Sequence, residues 1–319
     1  MNNIFLCPAT PENDFAEIAL LISSQEDEPT TENALREDYD ASKASLIRMM
    51  AAEDEQGQLL DFYWAYRNKV EPERVSFYLV VKPEHRGQGA GRLLYEDMLH
   101  AVEAAQSRKI RTSVLDSCPE GQGFVEKRGF NEIRHQIGME LDLQAFDDRP
   151  YDFVLARLQK DGFCFTSMLE LGDTEEAQRK LYALNDAASA STPGQGGEHA
   201  WASFEDFQKS VCQSDWYRPA GQIVAIDTNT GTWAGMSAIT RRPGQDYAYN
   251  LFTGVDLPYR GRKLAQAVKV LALRHARSAL QAETVRTHHN TRNLPMIAID
   301  QKFGYRLISG AYLMEKNLE

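Results

Sequence analysis

The sequence predicts an α/β protein of two domains built to one plan. Three observations predict it. Residues 76–102, SFYLVVKPEHRGQGAGRLLYEDMLHAV, read as a strand, a glycine-rich turn and an amphipathic helix. The same order of strands and helices runs through both halves of the chain. Two landmarks recur at nearly one offset: Arg86 and Arg260 lie 174 residues apart, Gly129 and Gly304 lie 175 apart. A period of that length is domain-sized, so it marks a tandem duplication rather than a solenoid. The boundary is expected near Asp148-Arg149-Pro150, giving domains at 1–148 and 149–319.

The first strand of that stretch rests on Phe77, Leu79 and Val81 alternating with Ser76, Tyr78 and Val80, with Pro83 ending it. Leu94, Met98 and Val102 then recur at helical spacing, with Glu96 and Asp97 on the other side. Glycines at 87, 89 and 91 are poor helix material, at about 1 kcal/mol each. Keeping them at a helix start leaves bare backbone there. Exposed N–H groups and the helix dipole together suit a phosphate or pyrophosphate. Their spacing is not the Gly-x-Gly-x-x-Gly of dinucleotide folds, and no Gly-Lys-Ser/Thr follows.

The other elements follow in order. Residues 3–8 read as a strand, Pro11-Glu12-Asn13-Asp14 as a helix start, and the acidic run Glu26–Asp40 as a second helical region. Leu46–Met50 is a strand, turned by Glu55-Gln56-Gly57-Gln58 into Leu59–Arg67. After the glycine turn and its helix come a strand at Ile110–Leu115, a short helix at Gly123–Arg128 and a strand at Ile137–Leu143. The second half repeats this. It has a strand at Phe163–Leu171, helices at Thr174–Ala188 and Ser203–Val211 across the linker Ala187–Gly197, and a hairpin Gln222–Asp227/Trp233–Ile239. A strand Tyr247–Val255, a helix Val268–Ala279, a strand Thr284–His288 and a short helix Met296–Lys302 complete it.

Composition bounds the function. The chain has 319 residues, 43% of them hydrophobic and 10% aromatic, which suits packed cores rather than disorder. No apolar run approaches the ~20 residues that span a bilayer, and the N-terminal residues lack a secretory signal. Cys7, Cys118, Cys164 and Cys212 are scattered without a Cys-x-x-Cys pair, so reduced thiols, a cytoplasmic location and no metal site are expected. The net charge of −11 is uneven. The first 148 residues hold 15 Lys and Arg against 28 Asp and Glu, the rest 20 against 18. An acidic surface argues against nucleic acid as a partner and tolerates or attracts a cationic amine.

Arg86, Gly89 and Gly91 spell Arg-x-x-Gly-x-Gly directly after a strand. This resembles the acyl-CoA pyrophosphate loop of the GNAT acetyltransferase superfamily. Both halves resemble that family, most strongly at 76–130 and 247–305, and the duplication is similar to tandem members such as the mycothiol synthase-like proteins. The resemblance implies two GNAT-like domains, each a mixed, mostly antiparallel central sheet flanked by helices. It implies an N-acetyltransferase that moves an acetyl group from acetyl-CoA to a primary amine of a small molecule or peptide by direct attack. The alternative is a non-catalytic, regulatory CoA-binding protein. No nucleic acid or membrane partner is expected, and a monomer is preferred over a homodimer, since a tandem chain mimics a GNAT dimer within one molecule.

In the resemblance, the pantetheine arm enters a gap between two strands, at Leu79, Val80 and Val81 in the first copy and at Thr253, Gly254 and Val255 in the second. Arg86, Gly87, Gln88, Gly89, Ala90 and Gly91 would hold the pyrophosphate. The second loop reads Arg260, Gly261, Lys263 and Ala265, with a lysine where the family has glycine. That lysine either crowds the backbone or supplies a point charge. Asn293 either hydrogen-bonds the pantetheine arm or caps the last helix. The family's frequent acid tyrosine is absent; Val125 and Asp300 hold its place. Candidate bases are Glu84, Asp116 and His289, with His85 and His288 beside them. Adjacent His288 and His289 face opposite ways on a strand, which argues against a shared metal.

Overall fold

The computed structural model describes residues 4–25, 30–69, 71–194, 201–242 and 245–318. Residues 26–29 of the acidic run and 195–197 of the linker lie outside them. The chain forms two compact units. Unit 1 is Met1–Arg134 with Ala311–Glu319, and unit 2 is His135–Gly310. The division thus falls before 148, and the last residues return to the first unit.

In chain order, β1 (Phe5–Pro8), α1 (Phe15–Ser23), α2 (Glu32–Ser42), β2 (Leu46–Glu53), β3 (Leu59–Arg67), β4 (Arg74–Val81), α3 (Ala90–Ala104), β5 (Lys109–Leu115) and α4 (Pro119–Glu126) lead into β6 (Asn131–Asp142). Then come α5 (Asp152–Lys160), β7 (Phe163–Ser167), α6 (Glu175–Ala190), α7 (Phe204–Phe207), β8 (Gln222–Asp227), β9 (Trp233–Thr240), β10 (Ala248–Val255), α8 (Leu264–Ser278), β11 (Thr284–Asn290), α9 (Leu294–Phe303) and β12 (Arg306–Asn317).

Local chemistry sets several of these limits. Thr31 caps α2 by accepting from the Ala34 N–H, and Thr174 caps α6 by accepting from Ala177. The strand expected over 163–171 stops at Ser167, because the Glu170 carboxylate accepts from the Ser167 N–H at 2.8 Å and the Thr166 hydroxyl at 2.9 Å and turns the chain. Two elements went unread in the sequence, α5 and β12. Nine residues of α5 fall at the expected domain boundary, and Gly310 interrupts the apolar pattern of β12.

Each unit holds a mixed, mostly antiparallel sheet between helices. In unit 1 the order is β1-β2-β3-β4-β5-β12, antiparallel except for the parallel β4/β5 pair. In unit 2 it is β7-β8-β9-β10-β11-β6, with β10/β11 parallel. The last strands are exchanged. β5 pairs with Ala311–Asn317 from the far end of the chain, whereas β6 pairs with β11 from Thr284↔Asp142 to Asn290↔Gln136. The duplication marks both seams. Arg111 pairs with Glu315, its register partner on β12, and Arg286 reaches Glu140, its partner on β6, at 2.7 Å.

Strand alternation divides each core into two faces. In unit 1, Phe15, Ile18 and Leu35 from α1 and α2 pack on Met49, Ala51, Phe62 and Val80. Leu94, Met98 and Val102 of α3 pack on the opposite face with Tyr63, Val75, Ile110 and Met314, the last contributed by the returning strand. Unit 2 repeats the arrangement, with α6 and α7 on one face and α8 on the other.

Candidate active site

In unit 1 the parallel pairing of β4 and β5 runs from Arg74↔Lys109 to Ser76↔Arg111 and stops. Beyond it the strands diverge into a wedge. A cavity of about 590 Å³ opens there, lined by Phe77–Val81, Thr112–Leu115, the glycine turn and Phe124 of α4.

The turn is built by backbone shape. After a 3₁₀ turn at Pro83–His85, Gly87 takes φ +74° and Gly89, the N-cap of α3, takes φ +101°. Both lie in the left-handed region that L side chains enter at a cost. Gly91 is bare for another reason: a Cβ there would stand 3.2 Å from Val81 Cγ2 and 3.5 Å from the Phe124 ring. The first N–H groups of α3 have no partner within the helix and carry its positive dipole end toward the turn. Arg86 acts as a tie. Its guanidinium donates to the Val81 carbonyl at 3.4 Å and to Gln25 Oε1 at 2.7 Å.

Of the residues expected to hold CoA here, Leu79, Val80, Val81, Arg86, Gly87, Gly89 and Gly91 line the cavity. Gln88 and Ala90 do not; Gln88 turns to the Glu84 carbonyl and Ala90 is buried. Glu84 is exposed on the 3₁₀ turn, and neither it nor Asp116 is on the cavity wall. His85 is on that wall, with Nδ1 3.4 Å from Oδ1 of the fully buried Asp61. Burial pushes the Asp61 carboxyl up, against the Lys82 N–H it accepts at 2.8 Å and the His85 ring.

Unit 2 repeats the wedge. β10 and β11 pair only at Ala248↔Val285 and Tyr249↔Arg286, and the Thr287 hydroxyl donates to the Asn250 carbonyl at 3.0 Å where they part. Against β9, β10 carries a register shift between Asn250 and Phe252, a bulge that β4 lacks against β3. Bulges free backbone groups and re-aim side chains. Asn250 is buried and donates to Ser237 at 3.1 Å and to the Ala238 carbonyl at 2.8 Å. A cavity of about 330 Å³ lies alongside, and Thr253, Gly254, Val255, Arg260, Gly261, Lys263, Ala265 and Asn293 are all on its wall. Arg260 repeats the tie, donating to the Val255 carbonyl at 3.1 Å and to Ser191. Lys263 is the N-cap of α8, with φ +71°, the place Gly89 holds in unit 1. Asn293 stands at the N-cap of α9 without a side-chain cap bond, so its amide is on the cavity wall rather than spent on the helix.

His288 and His289 do face opposite ways. His288 Nδ1 meets the Tyr249 hydroxyl at 2.6 Å, while His289 Nε2 meets Asp300 Oδ2 at 2.6 Å. Asp300 is fully buried and also ion-paired with the fully buried Lys269 of α8. Burial lowers the Lys269 ammonium. Burial alone would raise the Asp300 carboxyl, but the Lys269 charge and the His289 hydrogen bond outweigh it and hold it below the usual range. Sequence reasoning missed Lys269 and this pairing. The available signal was a lysine inside the apolar run Ala267-Val268-Lys269-Val270-Leu271.

Residues 46–132 match the model of an acetyltransferase (GNAT) domain. A protein named mycothiol acetyltransferase from Acidothermus cellulolyticus is 25% identical over 281 residues, covering 84% of this chain and 79% of that protein. Among solved structures, a GCN5-related N-acetyltransferase from Sphaerobacter thermophilus superposes with a TM-score of 0.73 at 17% identity, covering 98% of this chain and 95% of that one. A tandem GNAT protein from the clavulanic acid biosynthesis pathway gives 0.72 at 17% identity, covering 99% and 98%. Among the described residues, no helix is long and apolar enough to cross a membrane.

Proposed function

We propose that this chain is a tandem GNAT acetyltransferase that moves an acetyl group from acetyl-CoA to a primary amine of a small molecule, a reading supported by the family match, the relatives and the shared fold. The observation that carries the reading is the repeated cradle. Each unit joins a strand wedge to a turn whose left-handed residues open a helix N-terminus. A wedge presents unpaired strand edges that an extended pantetheine arm can join, and the helix start suits the pyrophosphate. Leu79–Val81 and the Arg86–Gly91 turn hold one acetyl-CoA; Thr253–Val255, Arg260–Ala265 and Asn293 hold a second.

The remaining chemistry asks little of the protein. Donor and amine must be aligned, the developing oxyanion must meet an N–H group, and one proton must move. The wedges supply alignment and free backbone donors. The acidic first half favours a cationic acceptor. The relatives named mycothiol acetyltransferase support a small-molecule amine rather than a protein.

Calorimetric titration with acetyl-CoA, followed by CoA-release assays across a panel of cationic amines, tests this. Saturable binding at two sites per chain and multiple turnover with one amine are expected. Absence of acetyl-CoA binding to either unit overturns the reading.

A further inference from the structure

One spot in the fold carries opposite chemistry in the two units. In unit 1, Tyr95, Val114, Val125 and Phe130 fill the space between α3, α4 and β5. The Tyr95 ring meets Phe77 at 6.4 Å, Phe124 at 6.0 Å and Phe130 at 6.3 Å, edge to face. One repeat later stand Lys269, His289, Asp300 and Tyr305. Lys269 and Asp300 are 0% exposed, and Lys269 Nζ lies 4.9 Å from the Tyr305 ring centre.

Buried ion pairs are not needed to hold a core; apolar residues of similar volume usually serve as well or better. Unit 1 demonstrates this for the present fold, because it closes the same space without a buried ion pair, with the half-buried Arg128 lying over the Tyr95 and Phe124 rings. The unit 2 charges therefore answer a different demand. Asp300, ionised beside Lys269, can only accept a hydrogen bond. The imidazole hydrogen of His289 must then sit on Nε2, which leaves Nδ1 with its lone pair. His289 stands on β11 past the last β10/β11 pair, inside the wedge. Its partner Asp300 follows Ile299, which lines the cavity with Met296. His289 itself is not among the residues on that wall, and its side chain is 9% exposed, sheltered from bulk water behind them.

We propose that His289 is the proton-transfer residue of unit 2, and that Asp300 and Lys269 are a buried positioning pair that holds its imidazole in the Nε2–H form. The inference rests on the acetyltransferase reading above. The amine attacks as the free base, having lost one proton to solvent. As its nitrogen bonds to the thioester carbon, Nδ1 takes a second proton from it. The C–S bond then breaks, and Nδ1 returns that proton to the departing thiolate. Amine and acetyl-CoA become amide and CoA thiol, with the imidazole unchanged.

The test uses the full chain. His289→Gln should lower kcat by about 100-fold, the ordinary worth of a general acid–base, with the KM for acetyl-CoA within threefold. Asp300→Asn should lower kcat at least tenfold, because an amide can donate to Nε2 and push the hydrogen to Nδ1. Should that variant unfold, a graft of the unit 1 residues (Lys269→Tyr, His289→Val, Asp300→Val, Tyr305→Phe) should keep its melting temperature and acetyl-CoA binding and lose turnover. Nitrogen NMR of the histidine-labelled chain, with His289 assigned by its loss in His289→Gln, should show Nδ1 without hydrogen. A wild-type Nδ1–H form overturns the proposal, whatever the activity. Turnover by His289→Gln or the graft equal to wild type overturns it alone, with the acetyltransferase reading intact. A wild-type chain that turns over no amine brings down that reading and this inference with it.

Discussion

The turn before α3 and the turn before α8 share one backbone shape with different residues. Gly87 at φ +74° and Gly89 at φ +101° answer to Gly261 at +78° and Lys263 at +71°. The tying arginine is kept as well, from Arg86 on Val81 to Arg260 on Val255. What the fold demands is therefore a left-handed residue at the helix start, and glycine is only the easiest way to meet it. Lysine meets it at about 1 kcal/mol of backbone strain and brings a charge to the wall of a cavity little more than half the size, 330 against 590 Å³.

That contrast can be attacked in several places. The largest effect should come from ending the chain after Gly310. Unit 1 then loses the strand beside β5, and with it one side of its wedge. Hydrogen exchange should show the amides of Lys109–Leu115 losing protection while β8, β9 and β10 keep theirs, and one acetyl-CoA site should vanish. Equal loss in both units would mean that the cradles are not independent. Next, Gly89→Val places a β-branched side chain at φ +101°. Acetyl-CoA should bind unit 1 at least about tenfold more weakly, of the order that left-handed strain implies, with unit 2 unchanged by calorimetry. An unaltered isotherm would show that the turn does not touch the donor.

Lys263→Gly should sharpen the comparison more gently. It removes backbone strain and a charge together, so affinity at unit 2 should fall a few-fold and lose part of its salt dependence. Tighter binding would show that the lysine crowds the site. The smallest effect concerns pH. Asp97 on α3 accepts from Arg48 at 2.7 Å and from Tyr63. Burial opposes ionisation, but these partners outweigh it and lower the carboxyl. A lowered folded value means that the stabilisation is whole above the unfolded value near ~4 and is lost as pH falls through the folded one. The matching residue on α8 is Leu271. Acid melts should therefore show unit 1 softening below pH ~4, and Asp97→Asn should flatten that slope at a cost under about 1 kcal/mol for so exposed a pair.

Much of the cradle was legible in the sequence because it is local. A strand, three glycines and an apolar helical stripe lie within 27 residues at 76–102, and Leu59–Arg67 was bounded by its own hairpin turn. The strand exchange was not legible. Residues 137–143 read as a strand and β12 went unread, and nothing in either segment names its neighbour. Lys269, His289 and Asp300 come from α8, β11 and α9, and only folding brings them together. Lysine in an apolar stripe was the visible clue, but its meaning depended on a carboxylate 31 positions away.

The exchanged strands also set a timetable for synthesis. When Leu115 leaves the ribosome, the neighbour that β5 will take is still unmade, because β12 begins at Arg306. At roughly 5–20 residues per second, that edge stays open for on the order of 10–40 s. The first half must wait while the second is translated, its bare edge guarded in the meantime by chaperones or by luck. A strand tail from a neighbouring nascent chain would fit the same vacancy, so crowded polysomes are where this protein should be most prone to tangle.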